Sequence, residues 1–176
     1  DEQIYSQSNQ SMALRLGFEI LHQFEGYPLY HEAMAAFDQI DAIVAESKRS
    51  MLPAAQSFAV EYQNDPLFQV LGAGPLYGTA YSMANCHFME MHWRNAIMIH
   101  SGEYFHGPFE CTDGKTPYIL MKSLGKTRAL DERAEAFLAK YAGNYEVIDA
   151  KELGLDAIAP EAAEYFNCAL FYKMAC

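Results

Sequence analysis

The sequence predicts an open, mainly parallel α/β sheet with helices on both faces, preceded by N-terminal helices. Three observations lead there. From Leu67 onward, short apolar segments alternate with stretches of helical periodicity, the pattern of a parallel sheet whose crossovers are helices. The first of these segments, Leu67–Leu71, carries no charge, as a strand buried on both faces requires. Before Leu67 the apolar residues recur at helical spacing throughout.

In order along the chain, Leu14, Phe18 and Leu21 form the stripe of a first helix over Ser11–Phe24, widened by Ile20 and Phe24. Gly26-Tyr27-Pro28 stops it. Tyr30, Met34, Phe37 and Val44 align a second helix, and a third starts near Ser50 with Pro53 in its first turn. Asn64-Asp65-Pro66 ends it. Strand Leu67–Leu71 then runs into the turn Gly72-Ala73-Gly74-Pro75, followed by a helix from about Gly78 to Trp93. Ala96–Ile99 and Pro117–Met121 read as the next strands. Leu130, Ala134, Phe137, Leu138 and Tyr141 mark a helix, Tyr145–Asp149 a fourth strand, and Glu161–Met174 a last helix opened by Pro160. Residues 1–48 form a helical lead-in on this reading, and residues 49–176 the α/β domain.

The chain has 176 residues and a net charge of -11, with 12 Lys+Arg against 23 Asp+Glu. A nucleic-acid protein needs a basic face to meet phosphates, and no Lys/Arg cluster offers one. No run of about 18 uncharged apolar residues could span a membrane. The polar start DEQIYSQSNQ lacks the order of a secretory signal, so a cytoplasmic setting is expected. Cys86, Cys111, Cys168 and Cys176 show no C-x-x-C spacing and are read as reduced core thiols. The chain does not begin with Met and is read as a piece of a longer one.

In such a sheet, ligands collect beyond the carboxyl ends of the strands. The loop Gly72–Tyr77 is the first candidate: its glycines allow close backbone approach, and a helix begins just after it. A tight strand-to-helix turn would need the same glycines, and the spacing Gly72, Gly74, Gly78 is not G-x-G-x-x-G. Glu90 is the second. Apolar Phe88, Met89 and Met91 around it predict partial desolvation, which would raise its pKa and make it a better base; the competing reading is a solvated helix residue. His87 and His92, five apart, would fall on different faces of an α-helix. The third candidate is Ser101-Gly102-Glu103-Tyr104-Phe105-His106-Gly107-Pro108, which follows a strand and sets a hydroxyl, a carboxylate and an imidazole between glycines. The spacing of His100, Glu103 and His106 matches no common metal site, so no metal or cofactor is expected.

These motifs carry a resemblance. Gly72-x-Gly74 after a strand, a helix ending in Glu90, and Ser101-Gly102-Glu103-x-x-His106-Gly107-Pro108, whose His106 lies sixteen positions after Glu90, resemble the second half of proteins of the SIS (sugar isomerase) superfamily. Phe109-Glu110 and Asp131-Glu132-Arg133-Ala134 bring it nearest to the deglycases of 6-phosphorylated fructose–amino acids. The resemblance implies Glu90 and His106 as catalytic acid–base groups, with Gly72, Gly74, Tyr77, Ser101 and Glu103 toward the substrate. It also implies a homodimer whose histidine serves a partner's site, and a substrate phosphate held mainly by a preceding SIS half. The chain alone is thus expected to leave apolar stripes exposed on the Ser11–Phe24 and Tyr30–Val44 helices, and to fold and self-associate without turning over substrate. The same proton shuttle would serve an aldose–ketose isomerase or amino-sugar synthase; a sugar-phosphate-binding regulatory module is the reading from another class.

Overall fold

The computed structural model of the protein describes residues 4–174. Helix α1 runs Asn9–Glu25; the Ser8 side chain accepts the Ser11 N–H at its start, and Gly26 (φ 64°) closes it in the left-handed conformation. Helix α2 is one uninterrupted element, Tyr30–Glu61, where the sequence predicts two helices broken near Ser50. Pro53 lies inside it. A proline there removes one ladder bond, but Arg49, whose carbonyl loses its donor, is exposed, so water can take the bond. The boundary at residues 48/49 falls within this helix. Ser47, buried, donates to the carbonyls of Ile43 and Leu153 and ties the helix to the later part of the chain.

Four strands follow: β1 Leu67–Gly72, β2 Asn95–His100, β3 Pro117–Lys122 and β4 Asn144–Asp149. All pair in parallel, in the order β2-β1-β3-β4. The predicted strands are there, each longer than expected by one or two residues at its ends. Between them lie α3 Tyr77–Ser82 and α4 Arg128–Tyr141, and α5 Pro160–Met174 comes last. One face of the sheet buries Phe68, Val70 and Met121 against α2, α3 and α5. The other buries Leu71, Leu120 and Tyr118 against Ala134 and Leu138 of α4. Helices therefore cover both faces, as the sequence predicts.

The helical part packs around aromatic rings. Phe37 meets Phe166 edge-on at 4.8 Å, and Phe18 stacks on Phe166 at 6.4 Å. The apolar stripe of α2 over Ala33–Val44 is buried here, not left exposed as the sequence reading has it. On α1 the outcome is divided: Ile20, Leu21 and Phe24 face solvent together with Met12 and Leu16, whereas Phe18 is buried and Leu14 packs against the core. Cys86, Cys111 and Cys168 are free thiols; Cys111 is exposed where a core position was expected, and Cys176 lies outside the described residues. Among the described residues, no helix is long and apolar enough to cross a membrane.

The largest departure is in the helix predicted over Gly78–Trp93. It is α-helical only through Ser82 and continues as a π-helical segment, Met83–Met91. His92 N–H donates to His87 carbonyl (3.1 Å) and Arg94 N–H to Phe88 carbonyl (2.9 Å), beyond α-helical reach. In an α-helix, residues five apart point about 140° away from each other. In this wider turn Met83 and Phe88 both pack on the core instead.

Candidate active site

The carboxyl ends of β1 and β2 are joined where Ser101 N–H donates to the Gly72 carbonyl (3.2 Å). Both glycines of the first loop have packing reasons. A Cβ on Gly72 would come 3.2 Å from Ala80 Cβ, and one on Gly74 (φ 52°) would come 2.3 Å from Thr127 Oγ1. Tyr77, at the start of α3, is half exposed, its ring 5.6 Å from that of His100. Tyr77, His100, Glu103 and Pro108 line one open depression of about 550 Å³.

His106 ends a short 3₁₀ turn, Tyr104–His106, and is presented to solvent. An aromatic pedestal holds the turn: Tyr104 is fully buried, and Phe105 meets Phe137 edge-on at 5.7 Å with the Arg133 guanidinium 3.9 Å over its ring. Glu103 Oε2 lies 3.8 Å from His106 Nδ1, both side chains over 70% exposed (72% and 73%). Ser101 is placed differently. It is wholly buried, and its hydroxyl donates to Asp131 Oδ1 at 2.7 Å, so it supports the loop and does not face the depression.

Glu90 sits at the other end of the sheet. Four residues separate it from β2, whose Asn95 pairs with Leu67 at the amino end of β1, whereas His106 follows His100, which pairs with Gly72 at the carboxyl end. A six-residue strand spans about 17–20 Å, so the two side chains of one copy do not share a cleft. Glu90 is also exposed. Phe88 turns to the core while Met89 and Met91 point to solvent, so its neighbours do not desolvate it as the sequence reading expected.

The sequence reading missed a buried polar cluster behind the loop. Asp131, on α4, accepts from the hydroxyls of Ser101 and Ser123 and from the Ser123 N–H. Burial pushes its carboxyl above the usual range despite those bonds. Its one sequence signal is spacing: Asp131, Ala134 and Leu138 share the inward face of α4. Beside it, Asp149 takes two bonds from Arg128 (2.8 and 2.7 Å) and lies 3.0 Å from Lys122, which also bonds Glu135. Burial alone would raise the Asp149 carboxyl, but Arg128, the Lys151 N–H and Lys122 outweigh it and lower the pKa to about 2. Among the described residues, no three His, Cys, Asp or Glu side chains converge as a metal site.

The Asp149 cluster has a measurable consequence. A carboxyl held below its unfolded value near 3.9 contributes stability that is complete above about pH 4 and lost as pH falls toward 2. Arg128→Ala should lower stability by about 2–3 kcal/mol at neutral pH, the low side for a broken buried pair because Arg128 keeps 20% of its side chain in water. Urea unfolding from pH 7 to pH 3 checks this: the difference from the unaltered protein should shrink on the acid side.

No protein-family model matches the chain. It is 33% identical over 165 residues to the fructosamine deglycase FrlB of Bacillus subtilis (strain 168), which is 94% of this chain and 50% of that protein. It is 32% identical over 88 residues to the fructoselysine 6-phosphate deglycase of Escherichia coli (strain K12), 50% of this chain and 26% of that protein. A crystal structure from Salmonella typhimurium LT2, named provisionally as a phosphosugar isomerase, matches with a TM-score of 0.92 at 39% identity over 98% of this chain and 55% of that one. The chain thus spans about half, or less, of the length of these relatives.

Proposed function

This chain is a SIS-type domain similar in sequence to fructosamine deglycases, and from that premise we propose that it contributes to a deglycase acting on a 6-phosphorylated fructosamine. The products are glucose 6-phosphate and the free amino acid. The observation that carries the reading is the segment Ser101–Pro108 after β2 with Glu90 upstream, in a chain matched over 94% of its length to a fructosamine deglycase.

The substrate bears an amino group on C1 and a carbonyl at C2. Glu90 takes a proton from C1, giving a 1,2-enaminol. Reprotonation at C2 gives the imine of the aldose, and water releases amine and sugar phosphate. His106, on its exposed turn, opens the sugar ring by moving protons at the oxygens. Since one copy separates the two groups by the length of the sheet, Glu90 of one copy works with His106 of another. The docked surface also desolvates Glu90, which its own chain leaves in water. Exposed apolar side chains support such self-association: Met12, Leu16, Ile20 and Phe24 on α1, and Met91 and Trp93 beside Glu90. The phosphate is held by other parts of the full-length protein, which is a cytoplasmic homodimer on this reading.

The test is release of glucose 6-phosphate from synthetic 6-phosphofructosyl amino acids by the full-length protein, followed with glucose-6-phosphate dehydrogenase. Release with equimolar amine is expected. Interconversion of hexose phosphates without amine release would make the protein an isomerase instead.

A further inference from the structure

We propose that the hollow between the C-terminal half of α2 and the π-helical segment binds a small organic carboxylate with an aromatic body. This does not rest on the deglycase reading. The hollow measures about 480 Å³, within the range of small-molecule sites. Its wall is aromatic: Phe68 and Phe88 stack at 4.5 Å, Phe58 lies 4.7 Å from Tyr62 and 6.1 Å from Phe68. Such surfaces favour a flat apolar ligand.

The rim supplies the polar recognition. His87, His92 and Arg94 all line the hollow, and no carboxylate does. Glu61, Asp65 and Glu146 lie near enough to act on the Tyr62 hydroxyl, but none of them is part of the lining. In a chain of net charge -11, three nitrogen-bearing side chains gathered without an acid among the lining run against the average of the surface. Arg94 makes no ion pair among the described residues, leaving its planar fork of N–H donors for a carboxylate.

The backbone is shaped to produce this rim. The π-helical turn brings His87 and His92 to one hollow, which α-helical geometry would prevent. Trp93, which is not a glycine, adopts φ 56°, and Arg94 directly after it lines the same hollow. Conformations of that kind are costly and persist where surrounding structure holds them, often at binding sites.

The probe is 3-phenylpropionate, with 3-phenylpropanamide as the uncharged control, titrated into the full-length protein by calorimetry and by amide NMR. The acid should bind at least about tenfold more tightly than the amide, with shifts centred on His87–Arg94, because a bidentate charge-assisted pair is lost with the amide. Arg94→Gln, at an exposed position, should remove that difference while leaving amide binding near its original level. Ala59→Trp, which fills the hollow from α2, should weaken both ligands. Equal affinity for acid and amide, an Arg94→Gln protein that still prefers the acid, or no binding of either up to about 10 mM would overturn the assignment.

Discussion

Replacing Glu90 with glutamine in the full-length protein is expected to cut turnover of a 6-phosphofructosyl amino acid by about 10²–10⁴-fold, the usual contribution of a positioned base. Glutamine keeps the size of the side chain and removes only its ability to accept a proton. Glu90 is exposed and no hydrogen bond or ion pair of its side chain is found among the described residues, so thermal unfolding should stay where it was. The loss should fall on kcat more than on KM, since proton removal from C1 is made only on the way to the transition state. A glutamine protein with near-normal turnover would remove Glu90 from the chemistry.

His106→Ala should reduce turnover by a comparable factor, for a different reason. The imidazole is 73% exposed and its turn is held by Tyr104 and Phe105, not by the ring itself. Truncation leaves the aromatic pedestal in place, so stability should change by no more than about 0.5 kcal/mol. Ring opening of the sugar phosphate then loses its proton carrier. Substrate supplied in open-chain form should recover part of the lost rate in His106→Ala and none in Glu90→Gln, which separates the two roles.

The strands were legible because short uncharged runs such as Leu67–Leu71 leave few alternatives once helical periods flank them. Helix α5 was legible for a related reason, since Pro160 sets its start. Pro53 misled because its cost depends on whether the freed carbonyl meets water, which is a property of the tertiary environment. The π-helical segment was illegible for a deeper reason. Spacing rules carry the α-helical angle, which places His87 and His92 on different faces, whereas in the π-helical turn they line one hollow. The surroundings of Glu90 are equally hidden from the sequence: its apolar neighbours predict burial, yet they point to the core or to solvent and leave the carboxylate in water. Ser101 reversed in the other direction, from a candidate contact to a buried donor to Asp131, because the acid that holds it lies thirty residues on. Glu90 and His106 are singled out by the family resemblance that their motifs carry. That one copy sets them at opposite ends of β2 could be seen only from the sheet.

Subunit mixing tests whether Glu90 and His106 act across two copies. Glu90→Gln and His106→Ala proteins, each inactive alone, are unfolded together, refolded at equal concentration and assayed for glucose 6-phosphate release. If each site takes Glu90 from one copy and His106 from another, half the dimers are mixed and each carries one intact site, so activity should return to about a quarter of the unaltered level. If both groups act within one copy, no mixed dimer holds an intact site, and activity staying at the level of the separate variants would contradict the account.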